Sequence, residues 1–402
     1  MRFLIIGINY HPELIGIGKY TGEMAEWLAQ QGHEVRVVTA PPYYPDWMVH
    51  KGYSAWRYIC EETAGIRVFR CPVWVPCRPS GFKRILHLLS FGVSSIFPTL
   101  WFGIVWRPDW VLSIEPPLVC APAVLLAGKM GGSRSWLHVQ DFEVDAAFEL
   151  GILSSKRLRR WVLAAESWLM QRFARVSTIS ERMLERLATK GVPDSRRVLF
   201  QNWVELDRVR PLDGASPLRA EWGLGVADIV VLYSGNMGEK QGLDILLEVA
   251  RKLRDKSRIV FVLCGEGAVR SRLMKQAEGA PNIRFKPLQP PDQLNDLLNL
   301  ADIHILPQRA NAADLVLPSK LTNMLASGRP VVATAHSGTQ VAELVKDCGI
   351  VVPPGEASAL ADAVVSLAES EERRQELGSR ARELAEKRWS KEKILSQLIA
   401  VS

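Results

Sequence analysis

The segment Leu317–Ala333, LPSKLTNMLASGRPVVA, carries the residues best suited to hold an anion. Pro318 and Ser319 fit a helix start: proline has no amide hydrogen to leave unpaired, and serine caps. Lys320 stands beside the first-turn amides, which lack intrahelical partners and form the positive end of the helix dipole. Glycines at three strand-to-helix corners add backbone that can approach a phosphate or base closely. They are Gly16-Ile17-Gly18-Lys19, the run from Gly235 to Gly242 (GNMGEKQG), and Gly265-Glu266-Gly267. None is a GxGxxG dinucleotide fingerprint or a GxxxxGK[ST] phosphate loop. Each alone equally fits a turn, and the LPSK segment alone fits an ordinary crossover. Together, the loops of the second half imply one ligand lying across several strand ends.

A second set of polar residues suits hydroxyl and proton chemistry. Asp141, Glu143 and Asp145 follow a predicted strand end, where a carboxylate can orient a hydroxyl; a cap or a solvated loop explains any one of them equally well. His138 falls at the end of that strand, as a catalytic group or as a satisfied core histidine. His11 directly follows the first strand and is expected to be functional, whereas Glu343 at a helix start simply favours the dipole. There is no HExxH, GxSxG or Asp/His/Cys cluster, so neither a metal nor a covalent nucleophile is expected.

The elements that must position these residues alternate. The first half opens with a strand at Phe3–Ile8, a helix at Gly16–Gln31 with Tyr20, Met24 and Leu28 on one face, and a strand at Glu34–Ala40. Further strands are expected at Ile66–Cys71, Trp110–Ile114, Ser135–Val139 and Arg175–Ile179. A second cycle places strands at Ile229–Ser234, Ile259–Cys264, Ile283–Phe285, Ile303–Leu306, Pro330–Ala333 and Ile350–Val352. Leu246, Leu247 and Ala250 share a helix face between the first two of these strands, and Leu321, Met324 and Leu325 share another before Pro330. Alternation of this kind implies two doubly wound parallel α/β domains, at 1–205 and 206–385, facing across a cleft. The last helix, 386–402, is expected to pack back on the first domain.

Composition sets the class. At 402 residues, 48% hydrophobic and 23% charged, the chain exceeds one core and has no low-complexity tract. The N-terminal apolar run is six residues, Phe3 to Ile8, which reads as a strand rather than a signal peptide. Six cysteines without a CxxC pair fit reduced thiols of a cytosolic protein. Residues 1–205 carry 24 lysines and arginines against 18 acidic residues, a net of +6, whereas the remainder nets +1. The excess gathers at Lys156, Arg157, Arg159, Arg160, Arg172 and Arg175, interleaved with Trp161, Trp168 and Phe173. Such a helix fits an anionic membrane surface or a solvated basic edge. Nucleic acid is not expected as a partner, because no reader motif is present. Phe91–Trp106 is uncharged, but its sixteen residues, with Pro98 among them, fall short of a span. A buried or interfacial helix is expected there.

At this level of detail the chain resembles the GT-B glycosyltransferases of the large retaining family that uses nucleotide sugars, the family 4 type also described as glycosyl transferases group 1. GIGKYTGEMAEWLAQQGHEVRVVT, SGNMGEKQGLD, GEG, PSKLTNMLASGRPVVA and SGTQVAELVKDCGIVVPPGE carry the resemblance over almost the whole chain. NYHPELIGIGKYTGEM, TAPPYYPDW, YSAWRY and HVQDFEVDA are closer still to the colanic-acid exopolysaccharide branch, whose described activity is fucosyl transfer. The resemblance implies two Rossmann-like domains, a nucleotide-sugar donor with GDP-fucose first in line, and no cofactor or metal. It implies a polyprenyl-diphosphate-linked glycan acceptor reached from the cytoplasmic face of the membrane, with the protein peripheral to that surface.

Residue by residue, the resemblance implies a donor site built from Gly16, Gly18 and Lys19 of the first half and a larger set in the second. That set is Gly235, Asn236, Lys240, Gln241, Gly265, Glu266, Pro318, Ser319, Lys320, Leu321 and Asn323. Glu13, Tyr43, Tyr44, Glu143 and Asp145 would face the acceptor, with Asp141, His138 and His11 as catalytic candidates. The arginine and lysine usual in the family's GR…KG loop fall on Asn236 and Gln241. Its two glutamates, separated by seven residues, fall on Leu315 and Asn323, which leaves Lys240 and Lys320 as the nearby cations. These departures keep other readings open. They are a UDP-dependent N-acetylhexosamine transferase, a nucleotide-sugar epimerase or hydrolase on the same fold, and a non-catalytic nucleotide-binding scaffold.

Overall fold

The computed structural model describes residues 1–13, 16–145, 156–309 and 319–401. The chain divides into two compact units, Met1–Gln201 with Leu395–Ser402, and Asn202–Ile394. The division falls four residues before the expected boundary, and the returning segment begins at Leu395 rather than at residue 386.

The first unit runs β1 (Arg2–Ile6), α1 (Gly16–Gln30), β2 (Glu34–Thr39), β3 (Ile59–Thr63), β4 (Ile66–Arg70), α2 (Gly81–Trp101), β5 (Trp110–Glu115), α3 (Ala121–Gly131), β6 (Arg134–Val139), α4 (Lys156–Met170), β7 (Arg175–Thr178), α5 (Glu181–Thr189) and β8 (Arg197–Leu199). Its sheet has the order β3-β4-β2-β1-β5-β6-β7-β8 and is parallel except for β3. Two short edge strands, β3 and β8, go beyond the expected set. ICEET has no buried alternation, and it pairs because Ala64 and Gly65, at φ 52° and 76°, make the two-residue hairpin turn.

Pro98 does not end α2. The helix continues to Trp101 and passes into a π-turn at Phe102–Trp106, closed by Arg107 at φ 51°. A proline at this position leaves the Ser94 carbonyl without its helical donor, and the Tyr58 hydroxyl supplies one at 2.9 Å. The resulting helical run, Gly81–Trp106, is long and apolar enough to cross a membrane by length and composition. One face of it is nevertheless built into the unit. His87, Phe91, Ser95 and Thr99 are buried, and a Cβ on Gly103 would lie 2.6 Å from that of Ala127 in α3.

The second unit holds α6 (Leu218–Glu221), β9 (Ile229–Ser234), α7 (Asp244–Lys252), β10 (Ile259–Cys264), α8 (Arg270–Gln276), β11 (Ile283–Lys286), α9 (Leu294–Leu300), β12 (Ile303–Leu306), α10 (Ser319–Ala326), β13 (Val331–Thr334), α11 (Gln340–Val345), β14 (Gly349–Val352), α12 (Ala357–Ala368) and α13 (Glu371–Arg388). A last helix, α14 (Lys391–Val401), straddles the division between the units. The six strands form one parallel sheet in the order β11-β10-β9-β12-β13-β14. Central strands such as IVVLYS and IVFVLC are buried along their whole length, as a sheet covered on both faces requires. Strand order reverses between β1 and β5 in one sheet and between β9 and β12 in the other. Crevices open at such switch points, beyond the carboxyl ends of the strands.

Candidate active site

In the second unit, the loop after β9 lies against the loop after β10, and backbone hydrogen bonds join the two. Gly235 donates its N–H to the Cys264 carbonyl at 3.0 Å, Met237 to Glu266 at 2.8 Å, and Val269 back to Met237 at 3.0 Å. This explains the glycines more exactly than phosphate approach does. Gly265 and Gly267 have φ of 146° and 152°, and a Cβ on them would sit 2.0 Å from the Gly235 oxygen and 2.4 Å from the Met237 oxygen. They are glycine so that two loops can touch.

Gly235 itself leaves room for a cation. Lys320, in the first turn of α10, donates from Nζ to the Tyr233 hydroxyl at 3.1 Å and lies 4.4 Å from the centre of that ring. Its Nζ would be 3.9 Å from a Cβ on Gly235. The Tyr233 hydroxyl in turn donates to the Asn236 carbonyl. Burial lowers the Lys320 pKa to about 8, so the ammonium is only just retained near neutrality. A poorly solvated ammonium beside helix-start amides, which have no intrahelical partners, is poised for an anion.

The other expected donor residues divide. Gln241 accepts the Gly238 N–H on Oε1 at 3.1 Å, which commits its carbonyl to the loop. Asn236 and Glu266 are exposed, and Asn323 is half-buried. Leu321 is a correction as a side-chain contact: it is fully buried with Met324 and Leu325 on the inner face of α10, leaving only its amide for a ligand. Pro318 and the side chains of Lys240 and Ser319 lie outside the described residues. Arg309 after β12 belongs to no motif and was not expected. Its Cγ would lie 2.8 Å from a Cβ on Gly242, and its guanidinium pairs with Glu239 at 3.0 Å and Asp244 at 3.7 Å. A cation thus stands beside the loop whose usual lysine is replaced by Gln241.

In the first unit, buried side chains hold the loops. Glu13, 3% exposed, accepts the Tyr43 and Tyr44 amides on Oε1, each at 3.0 Å, and the Asn9 side-chain amide on Oε2 at 2.8 Å. Gly18 is glycine for this carboxylate, since a Cβ there would lie 2.8 Å from Oε2. Glu13 therefore braces the loops instead of facing an acceptor. Tyr43 is also corrected: its ring is buried, edge-on to His87 at 4.6 Å, whereas Tyr44 is 38% exposed. Gly16, at φ 62°, sits with its missing Cβ 4.0 Å from the Tyr44 ring. Lys19 pairs with Glu23 at 3.5 Å, one turn along α1.

His11 is half-exposed, and its carbonyl accepts from the buried Arg70 at 2.7 Å. Arg70 also donates to the Ala40 carbonyl at 2.9 Å and pairs with Glu61 at 2.6 Å, tying the ends of β1 and β2 together. His138 takes the core alternative. It is 3% exposed, bonded through Nδ1 to the Ser177 hydroxyl at 2.9 Å, and burial lowers its pKa to about 3. A permanently neutral imidazole inside the sheet is not an acid–base group.

Asp141 is exposed just beyond β6. Asp145 is committed to a fork from Arg186 at 3.1 Å and to Lys190 at 3.2 Å. Lys190 also pairs closely with the buried Glu166. Glu143 accepts the Leu118 N–H at 3.2 Å, and its pKa rises to about 7, mainly by burial. Glu115, at the end of β5, is fully buried with neither carboxyl oxygen hydrogen-bonded, and burial with the nearby carboxylates holds it well above the usual range. This carboxyl–lysine network connects residues up to 75 positions apart, from Glu115 to Lys190, and no local spacing announces it. Among the described residues no group of three or more metal-ligating side chains occurs.

The comparisons agree with this architecture. Residues 16–203 match the family model for the glycosyl transferase 4-like domain, and residues 216–384 match glycosyl transferases group 1. The chain is 44% identical over 414 aligned positions to the putative colanic acid biosynthesis glycosyl transferase WcaI of Escherichia coli K12, covering 99% of each. Among solved structures it is similar to sucrose-phosphate synthase from Thermosynechococcus elongatus (TM-score 0.71, 18% identity, 100% and 98% of the two chains). It is also similar to Anabaena Alr3699/HepE in complex with UDP-glucose (TM-score 0.68, 15% identity, 100% and 98%). The chain belongs to the group 1 glycosyltransferases with a 4-like N-terminal domain, and its fold is GT-B.

Proposed function

We propose that the protein is a retaining glycosyltransferase of exopolysaccharide or lipopolysaccharide assembly, moving fucose from GDP-fucose to a glycan on a polyprenyl diphosphate at the cytoplasmic membrane face. The observation that carries the reading is Lys320, whose half-solvated ammonium meets Gly235 at the switch point of the second sheet. The colanic-acid relative supports the pathway class.

In this reading the anomeric bond to the diphosphate breaks while the acceptor oxygen bonds to the same carbon on the same face. The acceptor proton passes to a leaving diphosphate oxygen. Lys320 and the first amides of α10 stabilise the charge that develops there. Tyr44 and His11, on loops held by Glu13 and Arg70, and Asp141 beyond β6 orient the acceptor hydroxyl.

A UDP-sugar donor is the second reading, supported by the replacement of the usual donor contacts at Asn236, Gln241 and Asn323. Calorimetric titration with GDP, UDP, ADP and their sugar conjugates separates the two. Selective binding of GDP and GDP-fucose is expected, and selective binding of UDP compounds overturns the fucose assignment. Binding of none of them would leave the scaffold reading.

A further inference from the structure

The outer surface of one helical layer in the first unit carries none of the residues placed in the proposed transfer. α2, α3, α4 and α5 all follow rightward crossovers in the strand order and so share one face of the sheet. Phe91, Val124, Met170 and Leu187 from these helices meet Ile6, Val111 and Leu137 of the strands in a single core. The surface turned away from that core is apolar. Phe82, Leu86, Leu89, Val93, Phe97 and Trp101 recur at helical spacing along α2, and Phe82, Val93 and Phe97 are each more than 60% exposed. Val105 extends the stripe into the π-turn, and Trp161 and Trp168 of α4 are 78% and 54% exposed. An α2 of 21 residues lays this stripe along roughly 30 Å.

The charges along α2, α3 and α4 beside the stripe are mostly cationic. Lys83 and Arg84 stand at its start, Arg107 at its end, Lys129 on α3, and Arg157, Arg159 and Arg160 on α4, all exposed. Of the acidic residues in this layer Glu115 and Glu166 are buried, whereas Asp109, which accepts the Arg2 amide, and Glu181 and Glu185 of α5 are exposed. An apolar stripe with tryptophans and a predominantly cationic border is complementary to an anionic lipid surface. A protein partner would call for mixed charge at the rim.

We infer that this layer docks the protein on an anionic bilayer, with α2 lying in the interface plane and the basic edge of α4 supplying long-range attraction. The inference rests on the proposed lipid-linked acceptor, for which such docking places the enzyme at the membrane. The test is sedimentation of the full-length protein with phosphatidylglycerol-rich vesicles and with pure phosphatidylcholine vesicles, alongside GDP titration in solution. Anionic vesicles should bind the protein at least about tenfold better, and F97E/W101E should lose at least about tenfold of that binding. R159E/R160E should lose less and leave the remainder less sensitive to salt. All variants should keep the wild-type nucleotide affinity, so a failed donor assignment and a failed docking face are read separately. The inference is overturned if the wild type ignores anionic vesicles or if F97E/W101E binds them normally. It is equally overturned if the wild type is a dimer in solution that F97E/W101E dissociates, which would give the face to a second copy.

Discussion

The two units bring loops to the ends of parallel strands by opposite means. In the second unit the loops after β9 and β10 are joined backbone to backbone, with glycines where a Cβ would collide, and a half-buried cation, Lys320, stands beside them. In the first unit the loops are held by buried side chains reaching far along the chain: Glu13 to residues 43 and 44, and Arg70 to residues 11, 40 and 61. A diphosphate is much the same in every nucleotide sugar, and backbone amides recognise it without side-chain variety. An acceptor differs from enzyme to enzyme, and a frame of side chains can keep its geometry while exposed neighbours such as Tyr44 and Asp141 change.

The sharpest way to break this contrast is to put a methyl group between the joined loops. Gly265→Ala places a Cβ 2.0 Å from the Gly235 oxygen at a φ of 146°, which L side chains rarely adopt. Nothing flexible is available to move, so the second unit should lose roughly 3 kcal/mol or more, read from the denaturant midpoint. Nucleotide binding should disappear with it. A variant of wild-type stability would mean that the loops are not joined as described.

Next in size is the charge itself. Lys320→Ala should weaken nucleoside diphosphate binding by about 1.5–3 kcal/mol with little change in stability. The wild-type pH dependence carries the sign: the Lys320 pKa is about 8, so raising the pH through that value removes the charge an anion needs. Affinity should be level below it and fall above it. The alanine variant should show no such fall, and a parallel decline in both proteins would locate the titrating group elsewhere.

These two predictions also mark what could be read in advance. The loops of the second unit follow local rules, since glycine spacing, a proline-serine helix start and the Leu321/Met324/Leu325 face all lie within a few residues. The strands declared themselves as apolar runs, whereas β3 and β8 did not, because edge strands need no buried alternation. The frame of the first unit was hidden for a different reason. Glu13 is expected at an acceptor from its place after β1, yet its partners lie 30 and 31 residues away, and only folding reveals that its lone pairs are already taken. His138 has the same history, since a histidine at a strand end reads alike whether or not Ser177 waits on the next strand. Glu115 gave no signal at all.

Glu13 sharpens the contrast from the other side. Glu13→Gln keeps an acceptor for the Tyr43 and Tyr44 amides but turns a donor toward the Asn9 amide, at a cost of about 1–3 kcal/mol to the first unit. Under the proposed reading most donor contacts come from the second unit, so nucleotide affinity should be largely preserved, while turnover with any acceptor should fall through KM. If nucleotide affinity fell equally, the division of labour between the units would be wrong.

The smallest expected effect concerns Glu143, whose burial beside other carboxylates raises its pKa to about 7. A carboxyl that is a weaker acid in the folded chain than in the unfolded one binds its proton more tightly when folded. Its stabilising contribution is complete below the unfolded pKa and is lost as pH rises through about 7. Glu143→Gln mimics the protonated form permanently, so the variant should match the wild type below the unfolded carboxyl's pKa and surpass it increasingly as pH rises to about 7, with a constant gap above. The difference should be about 2–4 °C in Tm, the shift that 1 kcal/mol produces in a unit of this size. Glu143 also accepts the Leu118 N–H, and the glutamine carbonyl can keep that bond, so the comparison isolates the charge from the hydrogen bond. A gain at alkaline pH would show that ionised Glu143 is an unrelieved strain within the Glu115–Lys190 network. Such a group is retained at a stability cost, and the loss of transfer in the same variant would say what it is retained for.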